Sequence, residues 1–285
     1  MKIAMFGATG MIGKPVAEQL IKNGHVLTVL VREGEGGRVT KGSNLVVGDL
    51  IIKKEVMKVL KGMEGIYISL SVAQSSKKKN WQPEREGIDL ILQVAKDENI
   101  KVIGYLSSLL QNYQGMNGFD WWVFDIKHRA YQKVKNTPIP SIVFRPSSFM
   151  ENFENSMRRG KSISLAGESK HTMYWIAAKD YGKMVSTAFT NFDGSSKEYA
   201  IQGTEALNVD DAAEIYTKHH EKEKLKISKV PLGMLKFMGN FISPVNYTYN
   251  IITAMNNYPE KFHGIAVWEE LGKPEITLKE FAIAK

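Results

Sequence analysis

A glycine-rich turn near the start of the chain constrains the fold more than any other segment. An apolar run, Ile3–Phe6, leads into residues 7–13, which read Gly-Ala-Thr-Gly-Met-Ile-Gly, and an amphipathic stretch over residues 15–22 follows. This order of strand, glycine turn and helix is the context in which a glycine fingerprint indicates dinucleotide binding. An ordinary turn between a strand and a helix is the alternative interpretation.

Each glycine of this turn has a distinct expected role. Gly7 can adopt the dihedral angles of the tight turn, Gly10 lets the backbone approach a pyrophosphate, and Gly13 lets the helix pack close to the strand. The anion then lies on the free N–H groups at the positive end of the helix. The predicted contacts of the cofactor in this turn are Gly7, Thr9, Gly10, Met11, Ile12 and Gly13.

Composition bounds the class of protein. The chain has 285 residues, of which 43% are hydrophobic and 24% charged, as in an ordinary globular protein. It has no cysteine, which excludes disulfides, thiolate catalysis and cysteine-ligated metal sites. It also lacks an apolar run of membrane-spanning length and a signal-peptide pattern, so we expect a cytoplasmic protein with no membrane partner.

The net charge of +8 favours anionic partners. The lysines are dispersed apart from Lys77–Lys79, and no helix-turn-helix or aromatic RNA-binding signature accompanies them. We therefore expect a lysine-rich surface and no nucleic-acid partner. The six histidines form no ligand pattern, so no metal site is expected.

Apolar runs alternate with helical patterns through the first half of the chain, which predicts an α/β fold with a doubly wound parallel (Rossmann) sheet. The predicted strands are Lys2–Phe6, Val26–Val31, Leu45–Val47, Gly65–Leu70, Lys101–Leu106 and Ser141–Phe144. The predicted helices are Gly13–Asn23, Ile52–Leu60, Glu86–Asn99 and Lys127–Asn136. After residue 146 the segments shorten. We therefore expect a dinucleotide-binding domain over residues 1–150 and a smaller C-terminal α/β lobe over residues 151–285, with some segments returning to the first domain.

The end of the second strand indicates which dinucleotide binds. NAD sites place a carboxylate here for the ribose 2′-hydroxyl, whereas NADP sites place an arginine for the 2′-phosphate. At the end of this strand no carboxylate occurs before Glu33. Arg32 is therefore the candidate phosphate ligand, with Arg38 and Lys41 as helpers. We expect NADP(H), with NAD(H) as the alternative. A solvated arginine without a role is the other interpretation of Arg32.

Residues after the third and fourth strands are further cofactor candidates, because ligands lie at strand carboxyl ends in open α/β sheets. Asp49 could accept a hydrogen bond from the adenine amino group, or it could be the N-cap of the next helix. Ser69, Leu70 and Ser71 are expected to line the cofactor through their backbone.

Several motifs resemble those of atypical short-chain dehydrogenase/reductases, and among these the NmrA-like family. They are the GxxGxxG spacing at residue 7, Gly48-Asp49-Leu50, Phe124-Asp125-x-Lys127, Arg145-Pro-x-x-Phe-Met-Glu-Asn152, Asp180-Tyr181-Gly182 and Thr277-Leu-x-Glu-Phe281. The resemblance covers nearly the whole chain. It implies a nicotinamide cofactor, with further cofactor contacts from Ser107, Lys127, Arg145 and Pro146.

The chain departs from the resembled family at the catalytic motif Tyr-x-x-x-Lys. Lys127 matches the lysine and Ser107 or Ser108 the serine, but Val123 stands where the tyrosine, or this family's histidine, would be. Lys127 could hold the ribose or act as an acid, unless it is an exposed helix lysine. Tyr131 is a stand-in proton donor because it lies four residues after Lys127 on the same helix face, although core packing is its alternative role. Tyr113 and His128 are further stand-ins.

Aromatic and methionine side chains are candidates for a substrate pocket. The candidate substrate contacts are Trp122, Phe149, Asn152 and Trp175, and the stretch from Leu232 to Met255 adds more apolar residues. Core packing is the alternative for these segments. A pocket of this kind would accept a flat, apolar small molecule. The lysine-rich loop over residues 75–83 could close over the phosphates, or it could be a solvated loop.

Three functions are compatible with these residues. The first is an NADPH-dependent reductase of a small apolar acceptor such as a quinone, an enone or an aromatic carbonyl. The second is a non-catalytic NADP(H) sensor that binds a protein partner, which Val123 favours. The third is a sugar-nucleotide epimerase or dehydratase, which Val123 disfavours because such enzymes need the tyrosine. Fold alone does not decide among them.

Overall fold

The computed structural model describes all 285 residues and contains twelve strands and ten α-helices. The strands are β1 (Lys2–Phe6), β2 (Val26–Val31), β3 (Asn44–Val47), β4 (Gly65–Ile68), β5 (Val102–Leu106), β6 (Ser141–Pro146), β7 (Arg158–Arg159), β8 (Ser162–Ala166), β9 (Met173–Tyr174), β10 (Lys197–Ile201), β11 (Ala206–Leu207) and β12 (Lys226–Val230). The helices are α1 (Gly13–Lys22), α2 (Lys53–Leu60), α3 (Ile88–Ala95), α4 (Trp122–Lys135), α5 (Ala178–Thr190), α6 (Val209–His219), α7 (Leu232–Gly239), α8 (Ser243–Asn257), α9 (Gly264–Leu271) and α10 (Leu278–Ile283).

The central sheet has seven parallel strands in the order β3-β2-β1-β4-β5-β6-β10. Phe6, at the end of β1, pairs with Leu30 on one side and Ile68 on the other. The strand order reverses between β1 and β4, and a crevice for ligands opens at such a switch point. The predicted doubly wound α/β fold is therefore confirmed.

Two apolar clusters cover the faces of this sheet. One contains Val16 and Leu20 of α1 together with Tyr181 and Val185 of α5. The other joins α2, α3 and α4 through side chains such as Val59. Burial of both sheet faces explains why the central strands read as continuous apolar runs rather than alternating ones.

Two helices have boundaries that differ from the predicted ones by more than one residue. The fourth helix begins at Trp122 rather than Lys127, so Val123 lies in its first turn. The third begins at Ile88 and ends at Ala95, and a π-helical turn, Pro83–Gly87, precedes it. A π-turn interrupts the regular hydrogen-bond ladder and often marks a functional site.

The C-terminal lobe is built on a three-stranded sheet in the order β12-β8-β7 and a two-stranded pair, β11-β9. Helices α6 and α10 pack together, as do α7 and α8. The spacing of Thr277 and Glu280 predicts a capping box, and this is confirmed at the start of α10. Three elements after residue 150 lie on the central sheet instead: α5 packs on α1, β10 extends the sheet, and α9 packs on both. No helix has both the length and the apolar character needed to cross a bilayer.

Candidate functional site

The glycine turn after β1 is as tight as its sequence predicts. Gly7 has φ +90°, and a Cβ there would lie 2.1 Å from the carbonyl oxygen of Ser69. A Cβ at Gly13 would lie 1.9 Å from the carbonyl oxygen of Gly7. Only glycine fits at these two positions, because any side chain would collide with backbone. Gly10 is exposed, and the only atom within 4 Å of a Cβ at this position would be the Gly7 oxygen, 3.3 Å away.

The start of α1 presents unpaired backbone donors. The N–H groups of Met11, Ile12 and Gly13 donate to no acceptor within the protein, and α1 has no side-chain cap. The same residues line a large cavity. Three N–H groups and the positive end of a helix dipole form a cradle that suits an anion such as a pyrophosphate. The turn therefore fits a dinucleotide.

The large cavity has a volume of about 870 Å³ and runs from this turn into the C-terminal lobe. We call it the main cavity. Four groups that follow strand ends line it, together with Lys127 of α4: Gly10–Gly13, Ser69–Ser71, Ser107–Ser108 and Pro146–Phe149. Residues of α8 form the opposite wall. The predicted cofactor residues of four separate strands are thus brought to one space.

Two arginines follow the second strand, and one of them contacts the glycine turn. Nη2 of Arg38 donates to the carbonyl oxygen of Thr9 at 3.3 Å. Arg32 is 73% exposed, and its Nη2 donates to Oε1 of Glu35 at 2.7 Å. Glu35 is also 3.8 Å from Arg38, so one carboxylate holds both guanidinium groups near the turn. Both side chains are largely exposed, at 73% for Arg32 and 65% for Arg38.

Asp49 is not the N-cap of the second helix, which begins after Ile52. Its Oδ1 instead accepts a hydrogen bond from the backbone N–H of Ile51 at 3.0 Å, in the turn that precedes the helix. Its own N–H donates to the carboxylate of Glu55. The second Asp49 oxygen makes no protein hydrogen bond, which leaves it available to a ligand at the carboxyl end of β3.

Lys127 makes a buried ion pair that the sequence does not reveal. Its Nζ donates to Oε1 of Glu84, a residue of the π-turn, and the two side chains are 16% and 0% exposed. Glu84 also accepts from the backbone N–H of Val72 at 3.2 Å and the hydroxyl of Tyr105 at 3.4 Å. Burial and the charge of Glu84 raise the pKa of Tyr105. Lys127 is therefore not an exposed helix lysine.

Position 123, where the resembled family carries a proton donor, holds an apolar residue in apolar surroundings. Val123 is 2% exposed and packs in an apolar cluster with Tyr113 and Trp121. Tyr113 is buried in that cluster, and His128 is exposed on the outer face of the helix. None of these three side chains offers an acidic proton to the main cavity.

Tyr131 and Arg145 are engaged with each other away from the main cavity. The Tyr131 hydroxyl donates to Oε2 of Glu198 at 2.8 Å, and Nη1 of Arg145 donates to Oε1 of Glu198 at 2.9 Å. The guanidinium lies 5.4 Å from the centre of the Tyr131 ring. The structure thus does not bring Tyr131 to the Lys127 ammonium, nor Arg145 to the cavity. Pro146 lines the cavity in place of Arg145.

The remaining candidate side chains fall into different environments. Ser107 is 3% exposed, lines the main cavity and accepts from Nε2 of Gln111 at 3.0 Å. Phe149 and Asn152 also line it. Trp122 lines a smaller neighbouring cavity of about 290 Å³ instead.

Trp175 is a core residue, which corrects its assignment as a substrate contact. It is fully buried, and its Nε1 donates to the backbone oxygen of Leu207 at 3.1 Å. Its ring packs 5.0 Å from that of Phe153. A side chain enclosed in this way supports the lobe but lines neither cavity.

One carboxyl group in the main cavity was not among the site residues predicted from the sequence. Glu260 accepts from the Ser147 hydroxyl at 2.8 Å and from Nε2 of Gln202 at 2.6 Å. Burial raises its pKa because both partners are uncharged and no cation pairs with it. A carboxyl without a counter-ion in a cavity is a feature typical of functional sites.

The segment after Leu232 divides between cavity wall and surface. Seven residues of α8, together with Leu235 of α7, line the main cavity: Val245, Tyr247, Thr248, Ile251, Ile252, Met255 and Asn256. Other apolar side chains of α7 and of the turn after it face outward, with Phe237 67% and Phe241 78% exposed. Core packing is therefore the wrong interpretation for α7. The loop over residues 75–83 contributes Lys77 and Lys78 to the smaller cavity.

Comparison with known proteins places the chain in a family. The model of the NmrA-like family matches residues 1–277. The chain belongs to the NmrA-like family. A curated relative, the photosystem II assembly factor Ycf39 of Synechocystis sp., is 21% identical over 257 residues, which are 88% of this chain and 77% of that protein.

Two solved structures show the same fold over their whole length. NADPH-dependent quinone oxidoreductase QOR2 of Escherichia coli, complexed with NADPH, has a TM-score of 0.71 at 18% identity, covering 98% of both chains. Triphenylmethane reductase of Citrobacter sp., complexed with NADP(H), has a TM-score of 0.71 at 16% identity, covering 100% of this chain and 99% of that one. At these identities the likeness concerns the fold.

Proposed function

We propose that this chain is an NADPH-dependent reductase of a small, mostly apolar acceptor such as a quinone, an enone or an aromatic carbonyl. The observation that carries the proposal is the main cavity. It joins the free N–H groups of Met11–Gly13 to the Lys127–Glu84 pair and then to an apolar wall from α8. The cavity volume suits the nicotinamide end of the cofactor together with a small ligand.

The chain's residues divide the work of holding the cofactor. The glycine turn binds the pyrophosphate through main-chain nitrogens, and Arg32 and Arg38 bind the ribose 2′-phosphate. Lys127 and Ser107 contact the nicotinamide ribose, while Ser69–Ser71 and Pro146 orient the ring from the strand ends. When bound, reduced nicotinamide supplies a hydride, and the protein supplies orientation and electrostatics.

Phe149, Asn152 and the α8 side chains hold the acceptor against the cofactor. Phe149 is half-buried, and its ring packs edge-on against Tyr181 at 5.2 Å, which fixes its orientation. A flat apolar molecule gains most by leaving water for such a wall. The two structural neighbours, whose names record a quinone and triphenylmethane dyes as acceptors, are consistent with this choice.

The test is oxidation of NADPH, followed at its absorbance band, with a panel of quinones, enones, aromatic aldehydes and triphenylmethane dyes. We expect wild-type protein to oxidise NADPH in the presence of at least one of these acceptors, and Gly13→Ala to lack that activity. Gly37→Ala, in a short 3-10 turn where a Cβ meets nothing within 4 Å, serves as the matched control. No oxidation above background across the panel contradicts the proposal.

A second candidate function is a non-catalytic NADP(H) sensor that binds a protein partner. Two observations favour it: Val123 provides no proton, and α7 and the turn after it expose Phe237 and Phe241. Contiguous exposed apolar side chains are typical of interaction surfaces. The assembly-factor relative is consistent with such a role.

The sensor is tested by affinity capture from cell extract with NADPH, with NADP⁺ and without either. A partner retained in only one of these conditions, and lost with Phe237→Ser/Phe241→Ser, supports the sensor. Identical capture in all three conditions excludes it.

A further inference from the structure

The reductase proposed above lacks a proton donor on α4. A tyrosine of another helix lines the cavity beside Val123, where that donor would be expected. Tyr247, on α8, lines the smaller cavity together with Val123. It also lines the main cavity together with Lys127. Tyr247 thus borders both the cavity lined by Val123, where a donor would be expected, and the cavity lined by Lys127.

The ring of Tyr247 is held in place, but its hydroxyl is free. The ring packs edge-on against Trp121, with 5.0 Å between ring centres and 75° between planes. Trp121 is itself 3% exposed and immediately precedes α4. The hydroxyl makes no hydrogen bond within the protein, whereas those of Tyr67 and Tyr131 do. Because Tyr247 is half-buried and lines both cavities, this hydroxyl is open to water or to a ligand.

The electrostatic environment keeps Tyr247 protonated. Burial and the negative charge of Glu84 raise the pKa of Tyr247 to about 12. The hydroxyl therefore carries its proton throughout the physiological pH range. An alkoxide is a much stronger base than a phenolate, so proton transfer to it remains favourable.

We propose that Tyr247 is the proton donor for carbonyl reduction, supplied by α8 in place of the tyrosine that position 123 lacks. The inference rests on the proposed reductase function. The hydride forms a C–H bond at the carbonyl carbon as the C=O π bond breaks. The Tyr247 O–H bond breaks as its proton passes to the carbonyl oxygen, which gives an alcohol and leaves the cofactor oxidised. The phenolate regains a proton from water.

Two classes of acceptor separate this role from a structural one. A ketone or aldehyde needs a hydride and a proton, whereas the cationic dye malachite green needs only a hydride to become its neutral leuco form. Tyr247→Phe keeps the ring against Trp121 and removes only the hydroxyl. Tyr249→Phe, a half-buried tyrosine two residues later that lines neither cavity, is the matched control.

The kinetic measurement compares malachite green with the fastest carbonyl substrate among acetophenone, cinnamaldehyde and 9,10-phenanthrenequinone. In Tyr247→Phe we expect kcat for the carbonyl to fall by about 100-fold, as for loss of a general acid, with KM changed much less. The rate with malachite green stays within about 2-fold of wild type. Tyr249→Phe behaves as wild type with both acceptors.

A binding measurement provides a readout without turnover. Acetophenone is titrated by calorimetry into protein saturated with NADP⁺, which cannot reduce it. Loss of one hydrogen bond predicts affinity about 5-fold weaker for Tyr247→Phe.

Three outcomes overturn the inference. Equal losses of the dye and carbonyl rates, no loss of either, or reduction of the dye alone by wild type each contradict Tyr247 as donor while leaving the reductase intact. Failure of wild type with every acceptor contradicts the reductase. In that case unchanged acetophenone binding in Tyr247→Phe also rejects contact between this hydroxyl and a carbonyl.

Discussion

Lys127 and Glu84 form a largely buried ion pair whose lysine borders the main cavity. Glu84 lies in a π-turn before α3, and Lys127 lies on α4, 43 residues away. The pair ties the helix that carries the family's lysine to the loop after β4. It therefore fixes the Lys127 ammonium at the edge of the main cavity instead of leaving it to solvent.

Removing the charge of Glu84 should destabilise the fold. Glu84→Gln leaves the Lys127 ammonium largely buried without a counter-charge, and breaking such a pair costs about 3 kcal/mol. Urea unfolding at pH 7 measures this loss. The double variant Glu84→Gln/Lys127→Met removes both charges and should recover part of it. Asp89→Asn breaks the half-exposed Lys133–Asp89 pair and should cost less than about 1 kcal/mol. Equal effects of Glu84→Gln and Asp89→Asn would contradict the importance of burial.

Arg32 should determine the preference for the phosphorylated cofactor. Arg32→Ala removes a charge-assisted contact to the 2′-phosphate, which is worth about 1.5–3 kcal/mol. We expect NADPH binding to weaken by roughly 10-fold or more and NADH binding to stay unchanged, as measured by calorimetry. Arg129→Ala, an exposed arginine on α4, serves as the control. An equal loss for both cofactors would mean that Arg32 does not read the phosphate.

Gly13 should be required for the turn itself. In Gly13→Ala the new methyl group would lie 1.9 Å from the Gly7 oxygen, so the backbone must move and α1 must shift from the sheet. Overpacking of this kind costs about 1–3 kcal/mol. Thermal unfolding and NADPH titration should both show a loss, whereas Gly37→Ala, with open space around its Cβ, changes neither. Normal NADPH affinity in Gly13→Ala would refute the close approach of strand and helix.

Glu260 should make stability depend on pH. Burial raises its pKa in the folded protein above that of the unfolded chain, so the folded state holds the proton over the interval between the two values. Folding stability contributed by this group is therefore full at low pH and is lost as pH rises through the folded pKa. Glu260→Gln removes this dependence. Urea unfolding between pH 4.5 and 8 should show wild type losing stability relative to the variant as the pH rises. Parallel pH curves would contradict it.

The sequence predicted the strands and the glycine turn that carry the site because local residue patterns determine both. All six predicted strands begin within one residue of the observed ones, since continuous apolar runs bounded by glycine or polar residues indicate buried strands. The glycine turn follows from residues 7–13 alone. The start of α4 was harder because Trp122 and Val123 carry no capping signal, and the helix indeed begins without a side-chain cap.

The catalytic end of the site depends on contacts between distant residues. Nothing near Glu84 indicates burial, because its neighbours Arg85 and Glu86 are charged and the partner is on another helix. Tyr247 belongs to an aromatic segment that is compatible with core packing, and only the packing of α8 brings it beside Val123. For Tyr131 the sequence suggested a contact that does not form. Its spacing from Lys127 predicts that the two side chains meet, but the Tyr131 hydroxyl donates to Glu198 instead.

Calorimetric titration of the purified protein with NADPH and with NADH tests the central claim most directly. The free N–H groups of Met11–Gly13 and the two arginines at the adenosine end predict saturable binding of NADPH, tighter than that of NADH. No heat of binding with either coenzyme up to millimolar concentration would contradict the claim that this turn holds a dinucleotide.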